Sequence, residues 1–378
     1  MAAPGSDDTD IAVVGGGIIG LACAWQLARH APTGTRLNLI APATLPSTAA
    51  SFVAAGMLGP AAEAQFGESD LTELALDSAA RWKTFAADLE ADSGLDIGYD
   101  QSPTLTVALD PSDRAALDHL LTYQQSLGLT AHRRNAGACR ALVPALAPAI
   151  CGGVETPADH RVDNRALLGA LGSAAKAAAV TFIDDTVAAI EPGPMLGLTS
   201  GHRIGATRIL LAAGIGLRTI AGLGQAGLPD LRPVKGTILR LGPSPTSPST
   251  ASFLPLTVRG LVRGRSIYLV PRPDGTVVVG ATVEERGDTE VAAGAVHQLL
   301  DDARALLPGL DDLTLLETGV GLRPATPDHR PCLGWTRLDG VAVATGHFRH
   351  GFLLAPVTAA AAVALFAGGA VPPGFTSP

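Results

Sequence analysis

A glycine-rich turn near the start of the chain most constrains how it can fold. Gly15, Gly17 and Gly20 form a G-x-G-x-x-G pattern between the apolar run Ile11–Val14 and an alanine-rich apolar segment that ends near His30. The first glycine allows a tight turn, the second lets a pyrophosphate approach the backbone, and the third permits close helix–strand packing. The pattern predicts a strand, a turn and a helix whose free N–H groups bind a dinucleotide.

Two more apolar strands with the same ending are predicted much further along the chain, at 207–213 and 341–345. Each runs into glycine, as buried parallel strands beside a ligand do. The three strands lie about 200 and 130 residues apart, so their sheet must be assembled from separated pieces of chain. The sequence therefore predicts an α/β fold with a Rossmann-like, discontinuous dinucleotide-binding domain built from 1–92, 151–230 and 321–378.

The intervening segments, 93–150 and 231–320, are predicted to form a mixed α+β substrate domain. Its clearest element is a β-hairpin, because Ile267–Pro271 and Thr276–Gly280 flank a Pro-Asp-Gly turn. A long amphipathic helix is predicted at about 70–90, since its apolar side chains share one face.

Composition and charge exclude several classes of protein. Hydrophobic residues make up 47% of the 378 residues and charged residues 16%, which indicates a chain with a buried core. With 27 Lys and Arg against 35 Asp and Glu, the formal net charge is −8, and no three basic residues are consecutive. Nucleic acid and anionic membranes are therefore not expected partners.

Cysteine usage and the apolar segments bear on where the protein works. The four cysteines include no C-x-x-C pair and are too few for a disulfide framework. Met1–Asp10 carries three Asp and no basic residue, unlike a signal peptide. The apolar segment Phe352–Val371 is rich in alanine and contains Pro356, and it predicts a buried helix ended by Gly368 and Gly369. We expect a cytoplasmic protein with no membrane partner.

Two arginines flank the strand predicted at 341–345. Arg323 precedes it in Gly-Leu-Arg-Pro, and Arg349 follows it in Gly-His-Phe-Arg. A guanidinium group binds a carboxylate through two N–H donors, so two arginines near one cofactor suggest a substrate with a carboxylate. The residues alone leave open that each arginine forms a surface ion pair. Tyr268, inside the predicted hairpin, has a ring suited to the core and a hydroxyl that can reach a ligand.

Other chemistries have little support. His347 and His350 form an H-x-x-H pair, but no carboxylate or thiol lies nearby as a third ligand, so no metal site is predicted. Cys332 is expected to be a buried, inert thiol, and not a nucleophile or a flavin attachment point. The chain has no G-x-S-x-G elbow and no Walker A loop, which leaves hydrolysis and phosphoryl transfer without a motif.

Further motifs along nearly the whole chain carry a family resemblance. They are the Gly15 turn, Ala50-Ser51 with Ala54-Ala55-Gly56-Met57-Leu58, Pro233-Val234-Lys235-Gly236, Tyr268-Leu269-Val270-Pro271-Arg272, Val279-Gly280-Ala281-Thr282, Gly321-Leu322-Arg323-Pro324, Thr326-Pro327-Asp328, Thr345-Gly346-His347-Phe348-Arg349, Gly351 and Leu353-Leu354-Ala355-Pro356. With these motifs the chain resembles the flavin-dependent amine oxidases of the D-amino acid oxidase family. Within that family it is most similar to the glycine oxidases of thiamine biosynthesis.

The resemblance implies FAD as the cofactor. The residues that it places on FAD come from the glycine turn, the loop after the second strand, a later strand and the C-terminal motif. They are Gly15, Gly17, Ile18, Ile19, Gly20, Ala50, Ser51, Ala55, Gly56, Met57, Val187, Gly346, His347, Phe348, Arg349, His350, Gly351, Phe352 and Leu353. A helix expected to begin at Gly351 would stabilise negative charge on the reduced flavin.

The resemblance also implies a reaction and its catalytic residues. Arg323 would bind the carboxylate of a small amino-acid substrate, with Tyr268 and Arg349 in the same pocket. Glycine would lose a hydride equivalent from its α-carbon to flavin N5 without a protein base, and molecular oxygen would be reduced to hydrogen peroxide. The imine would hydrolyse to glyoxylate and ammonia or supply thiazole formation. Association into a homo-oligomer stays open.

Two positions depart from the family pattern, and two other functions stay open. The acid that holds the adenosine ribose at the end of the second strand is replaced by Pro42, and the Asn that usually follows the family's Arg is His350. One other function is a flavin-dependent D-amino acid or sarcosine dehydrogenase that uses an acceptor other than oxygen. The more remote one is a dinucleotide-binding protein without catalytic activity.

Overall fold

A computed structural model of the chain describes residues 8–44, 48–243 and 254–378. Residues 1–7, at the start of the segment compared with a signal peptide, lie outside the described residues, as do 45–47 and 244–253 within the predicted domain segments 1–92 and 231–320. The strands are β1 (Thr9–Val14), β2 (Leu37–Ala41), β3 (Met57–Leu58), β4 (Thr104–Ala108), β5 (His132–Arg134), β6 (Gly152–Thr156), β7 (His160–Arg161), β8 (Thr181–Asp184), β9 (Val187–Glu191), β10 (Met195–Leu198), β11 (Arg203–Leu211), β12 (Arg232–Gly242), β13 (Thr257–Val262), β14 (Arg265–Pro271), β15 (Val277–Gly280), β16 (Thr314–Ala325), β17 (Cys332–Trp335) and β18 (Val341–Thr345). The α-helices are α1 (Ile18–His30), α2 (Ala50–Val53), α3 (Ser69–Ser93), α4 (Pro111–Ser126), α5 (Ala136–Leu142), α6 (Asn164–Ala177), α7 (Ala293–Leu306) and α8 (Ala355–Phe366), and 3₁₀ helices lie at Gly214–Thr219, Pro308–Asp312 and Phe348–His350.

The first large sheet confirms the predicted assembly from distant strands. Over the described residues its main path runs β17-β18-β11-β1-β2-β8, and β9 and β10 extend it antiparallel from β11. β1 pairs in parallel with β2 and with β11, and β11 pairs in parallel with β18. The carboxyl ends of β1, β11 and β18 therefore meet at one edge, where ligands bind in open α/β sheets.

Helices α1, α3, α6 and α8 cover one face of this sheet. Their apolar faces share a core with the sheet, in which Trp25 of α1 and Trp82 of α3 are almost fully buried. The helix predicted at about 70–90 is α3, and its polar side faces solvent as its pattern indicates. None of the helices in the described residues is both long and apolar enough to cross a membrane.

The C-terminal helix begins later than expected. We expected a helix from Gly351, but α8 starts at Ala355, after the 3₁₀ helix Phe348–His350 and a series of turns. Pro356 lies in the first turn of α8, the position that proline favours in a helix. Gly368 then adopts φ +84° and Gly369 donates its N–H to the carbonyl of Ala364 at 2.8 Å, which ends the helix as predicted.

The second large sheet carries the predicted hairpin. Within the described residues its order is β16-β12-β15-β14-β13-β4-β6-β5, and β14 and β15 pair antiparallel around the Pro-Asp-Gly turn. The strand β6 and the end of β16 belong to this sheet, although the predicted boundaries at 151 and 321 assign them to the nucleotide domain. The division of the chain into domains stays a prediction.

Candidate active site

The glycine turn forms a cradle at the carboxyl end of β1. Gly15 has φ +115°, and a Cβ atom there would lie 2.6 Å from the carbonyl oxygen of Ala212, just beyond β11. A Cβ atom on Gly20 would overlap the carbonyl oxygen of Gly15. Gly17 caps α1 without a side-chain hydrogen bond, so backbone N–H groups at the start of the helix are available to an anion. Ile18 and Ile19 bury their side chains behind this turn.

The loop at 50–57 closes over the same helix start. Ser51 accepts a hydrogen bond from the Ile18 N–H through Oγ, at 3.0 Å. The loop is fixed by two side chains that sequence reasoning missed. The Nδ2 of Asn164 donates to the carbonyls of Ser51 at 3.1 Å and Phe52 at 2.9 Å, and Nη2 of Arg272 donates to the carbonyl of Ala55 at 2.7 Å. The Pro-Arg end of the Tyr268 motif was the only signal for Arg272.

The loop also reaches the second sheet. The Cα of Ala50 lies close to Gly321 of β16, and Ala55 and Met57 share an apolar cluster with Tyr268. Gly56 bends the backbone between them with φ +70°. The loop therefore contacts both the cradle and the second sheet.

An acidic side chain lies next to the end of β2. Pro42 follows the strand, and the next residue, Ala43, donates its N–H to Oδ1 of Asp184 at 2.7 Å. Asp184 ends β8, which pairs in parallel with β2. Val187 packs nearby in an apolar cluster with Val14, the last residue of β1, and Ile40, near the end of β2. A carboxylate is thus present at this edge of the sheet, supplied by a different strand.

The C-terminal motif 346–353 lies beside the cradle. A Cβ atom on Gly351 would lie 3.7 Å from Cγ2 of Ile18, and Gly346 turns the chain with φ +75° after β18. His347 is buried and contacts Thr358 Oγ1 of α8 through Nε2 at 3.0 Å. Phe352 and Leu353 are buried, and the carbonyl of Leu353 accepts hydrogen bonds from Ser78 at 2.6 Å and Trp82 at 3.0 Å.

His350 has no internal partner. Its side chain is 4% exposed, and neither ring nitrogen makes a hydrogen bond within the described residues. Burial lowers the pKa of His350 to about 4, and the guanidinium of Arg349 acts in the same direction. A buried imidazole without a partner is costly in a protein interior, and such an atom points to a ligand.

These features fit FAD. The glycines admit a pyrophosphate at the start of α1, the loop 50–57 and the motif 346–353 enclose the adjoining space, and His350 offers an unused ring nitrogen. Cys332 is buried, and burial raises the pKa of its thiol to about 11, so it is inert as predicted. Among the described residues no group of His, Cys, Asp or Glu side chains is arranged to hold a metal ion.

Arg323 and Tyr268 lie on neighbouring parts of the second sheet. Arg323 Nη1 donates to the carbonyls of Lys235 at 3.4 Å and Thr282 at 3.3 Å, and among the described residues no carboxylate pairs with it. Two glycines of the family motifs leave room for these side chains. A Cβ atom on Gly236 would lie 2.5 Å from Nη1 of Arg323, and a Cβ atom on Gly280 would lie 2.5 Å from the hydroxyl of Tyr268. Burial raises the pKa of Tyr268, and the charge of Arg323 opposes that shift.

Arg349, in contrast, is already paired. Its Nε lies 3.2 Å from Oε2 of Glu63, and its Nη2 forms an ion pair with Glu68. Glu63 also pairs with Arg259, which lies directly across from Tyr268 on β13. Although burial raises it, the guanidinium groups of Arg259 and Arg349 hold the pKa of Glu63 at about 2. Sequence reasoning missed both glutamates and Arg259. The only signal in the sequence was the presence of an acid soon after the Gly-Met-Leu motif.

Comparisons with known proteins identify the family of the chain. The model of a family described as "FAD dependent oxidoreductase" (DAO) matches residues 10–365. A bifunctional ThiO/ThiG protein of a Nostoc species is 33% identical over 358 residues, which cover 93% of this chain and 51% of that protein. This chain thus spans about half the length of that relative.

Two further relatives match at nearly full length. A glycine oxidase of Geobacillus kaustophilus is 30% identical over 92% of this chain and 90% of its own. A crystal structure of glycine oxidase from Geobacillus kaustophilus superposes with a TM-score of 0.85 and 29% identity, covering 97% of each chain. This chain belongs to the DAO family of FAD-dependent oxidoreductases.

Proposed function

We propose that this protein oxidises glycine and other small amino acids, releasing the imine that becomes glyoxylate and ammonia, with oxygen reduced to hydrogen peroxide. The observation that carries the proposal is the state of Arg323. Its guanidinium acts electrostatically on Tyr268, and its hydrogen-bond partners among the described residues are backbone carbonyls. An arginine at a partly buried site that lacks a carboxylate is suited to bind one from a substrate.

FAD supplies the oxidant, and the pocket residues bind and orient the substrate. When bound, FAD supplies a two-electron oxidant that accepts a hydride equivalent from the substrate α-carbon at flavin N5 and then reduces oxygen. Arg323 holds the substrate carboxylate through two N–H donors, which orients the α-carbon, and Tyr268 closes the pocket beside it. The substrate amine reacts as its neutral form, so no protein base is required.

The pocket is suited to small substrates. Tyr268, Arg259 and Glu63 are each half-buried, and the loop that carries Glu63 is itself anchored. Asp159 accepts hydrogen bonds from the N–H groups of Ala61 at 2.9 Å and Ala62 at 2.6 Å. A wall fixed in this way leaves little room for a bulky side chain on the substrate α-carbon, so glycine and sarcosine are expected to react faster than large D-amino acids.

The electron acceptor and the biosynthetic role are also proposals. We propose oxygen because the relatives named glycine oxidases match this chain over about nine-tenths of their length. The ThiO/ThiG relatives join two activities by name on one chain, and we propose that the imine from this protein serves the thiazole branch of thiamine biosynthesis. The alternative is a dehydrogenase on the same fold that passes electrons to a carrier.

One experiment tests the proposal directly. The purified protein is reconstituted with FAD, and flavin absorbance and peroxide are followed with glycine, sarcosine, small and bulky D-amino acids, and amines without a carboxylate. Bleaching of the flavin by glycine or sarcosine with release of peroxide is expected. Bleaching without peroxide under oxygen would identify a dehydrogenase, and FAD binding without reduction by any amino acid would overturn the proposal.

A further inference from the structure

The acidic segment at 59–68, which follows the Gly-Met-Leu motif, forms one wall of the substrate pocket; we call it the acidic loop. It is held at several points by contacts with other parts of the chain. Asp159 binds its backbone at Ala61 and Ala62, Nε2 of Gln124 donates to the carbonyl of Ala61 at 2.9 Å, and the exposed ring of Phe66 lies against Tyr123 with ring centroids 4.5 Å apart. Its two glutamates are therefore fixed in place, unlike carboxylates on a mobile loop.

Both glutamates of the acidic loop are used on arginines of the pocket. Glu63 pairs with Arg259 and with Arg349, and Glu68 pairs with Arg349 from the other side. The side chains of Glu63 and Glu68 are only 14% and 13% exposed, so solvent screens these pairs weakly. Of Arg259, Arg323 and Arg349, Arg323 alone lacks a carboxylate partner among the described residues.

A second contact fixes Glu68. Arginine can only donate hydrogen bonds, so Nη2 of Arg232 donates to Nε2 of His329 at 2.9 Å. The proton of the neutral ring then lies on Nδ1, which donates to Oε1 of Glu68 at 2.9 Å. His329 also stacks on Phe348, the residue before Arg349, with centroids 4.6 Å apart. The carboxylate of Glu68 is thus held between Arg349 and His329.

We propose that Glu63 and Glu68 determine substrate specificity: they occupy Arg349 and Arg259, so the pocket binds amino acids with one carboxylate and rejects those with a second one. This inference rests on the proposed function, because it assumes that Arg323 binds the first carboxylate. A second carboxylate on the Glu63 side of Tyr268 meets two glutamates that cannot leave their partners. Rejection by a like charge is a direct way to build selectivity.

The test compares two substrates that differ by one carboxymethyl group, glycine and iminodiacetate. Glu63→Gln keeps the size of the side chain, removes the carboxylate partner of Arg259 and leaves Arg349 with Glu68 as its remaining partner. The ratio of kcat/KM for iminodiacetate to that for glycine should rise at least about tenfold in this variant. Glu68→Gln should raise the ratio in the same direction but less, because it frees Arg349 only in part. Glu68→Gln also tests the proposal if Glu63→Gln fails to fold.

A control and a binding measurement separate specificity from damage. Glu191→Gln removes a carboxylate from a surface pair with Arg203, 2.8 Å apart, and should leave the ratio unchanged. The perturbation of the flavin spectrum by malonate, a dicarboxylate that is not oxidised, should saturate at lower concentration in Glu63→Gln than in the native protein. Acetate, with one carboxylate, should not gain affinity.

The outcomes distinguish the two proposals. An unchanged ratio and unchanged malonate binding in folded Glu63→Gln and Glu68→Gln, with glycine still oxidised by the native protein, would overturn the specificity role alone. Failure of the native protein to oxidise glycine with FAD bound would overturn the proposed function first. A rise in the ratio caused by Glu191→Gln as large as that caused by Glu63→Gln would also overturn the specificity role, since the effect would then be nonlocal.

Discussion

The two walls of the site are built on opposite principles. The nucleotide cradle uses residues without side chains, where Gly15 and Gly20 allow backbone to approach backbone. The substrate wall uses long charged side chains from distant parts of the chain, where Glu63 and Glu68 balance the charges of Arg259 and Arg349. The cradle is thus defined by local sequence, whereas the substrate wall is defined by which charges the fold brings together. Changes to the first should abolish cofactor binding, and changes to the second should alter rates and preferences.

The largest effect is expected at Gly20. In Gly20→Ala the new methyl group overlaps the carbonyl oxygen of Gly15, which must move and open the turn. We expect loss of FAD binding, measured as the flavin content of the purified protein. Gly172→Ala is the matched control, since it also lies within a helix but its Cβ would meet no atom within 4 Å. Its stability should be unchanged or higher, because alanine favours helix over glycine by about 1 kcal/mol.

A smaller but still large effect is expected at Arg323. Removing one partner of a partly desolvated charge pair costs roughly 2–5 kcal/mol, so Arg323→Ala should lower kcat/KM for glycine at least about 30-fold. The flavin spectrum should stay nearly normal, in contrast to Gly20→Ala. Arg323→Lys should recover part of the activity, because a point charge orients a carboxylate less well than the planar guanidinium group.

An amine without a carboxylate is the control for Arg323. Its slow oxidation should barely change in Arg323→Ala, because it makes no contact with the guanidinium group. Near-native oxidation of glycine by Arg323→Ala would show that the arginine is structural and that the substrate carboxylate binds elsewhere.

The third effect is on stability against pH. Burial lowers the pKa of His350 to about 4, below the ordinary value of about 6.5 of the unfolded chain, so between these values only the unfolded chain takes up the proton. The stability contributed by the neutral ring is present above the unfolded pKa and is lost as the pH falls toward 4. At about pH 5 this loss amounts to roughly 1–2 kcal/mol.

Replacing His350 should remove that part of the pH dependence. His350→Asn should unfold with a smaller difference in free energy between about pH 7.5 and pH 5 than the native protein, measured in urea at both values. The exposed His202 provides the comparison, since His202→Asn should leave the difference as it is. An equal pH dependence in native protein and His350→Asn would contradict a neutral, buried ring.

The smallest effect is expected at Pro42. Pro42→Glu restores the acid of the Rossmann second strand, but the new carboxylate lies next to Asp184, which already binds the N–H of Ala43. Repulsion between the two acids offsets the added hydrogen bond, so FAD affinity should change less than about tenfold. Flavin fluorescence quenching on titration measures it. A much larger gain would show that Asp184 does not serve this edge.

The same contrast separates what the sequence predicts from what it does not. The strand, turn and helix around Gly15, the β14–β15 hairpin and the parallel strands at 207–213 and 341–345 were all predictable, because local patterns determine them. Arg323 and Tyr268 were identified through family motifs. The state of Arg349 was not predictable, because its partners Glu63 and Glu68 lie about 280 residues away in the chain and no local pattern marks them. The same holds for Asn164 and Arg272, whose role depends on tertiary contact.

The order of strands in the first sheet has a consequence for biosynthesis. β1 contacts β11, and β11 contacts β18, so the far edge of β11 stays unpaired until the ribosome has made residue 345. Contacts of such large sequence separation are slow to form and leave strand edges exposed in the meantime. Nascent chains should therefore depend on chaperones until β18 emerges, and capture of FAD should mark the moment at which that dependence ends.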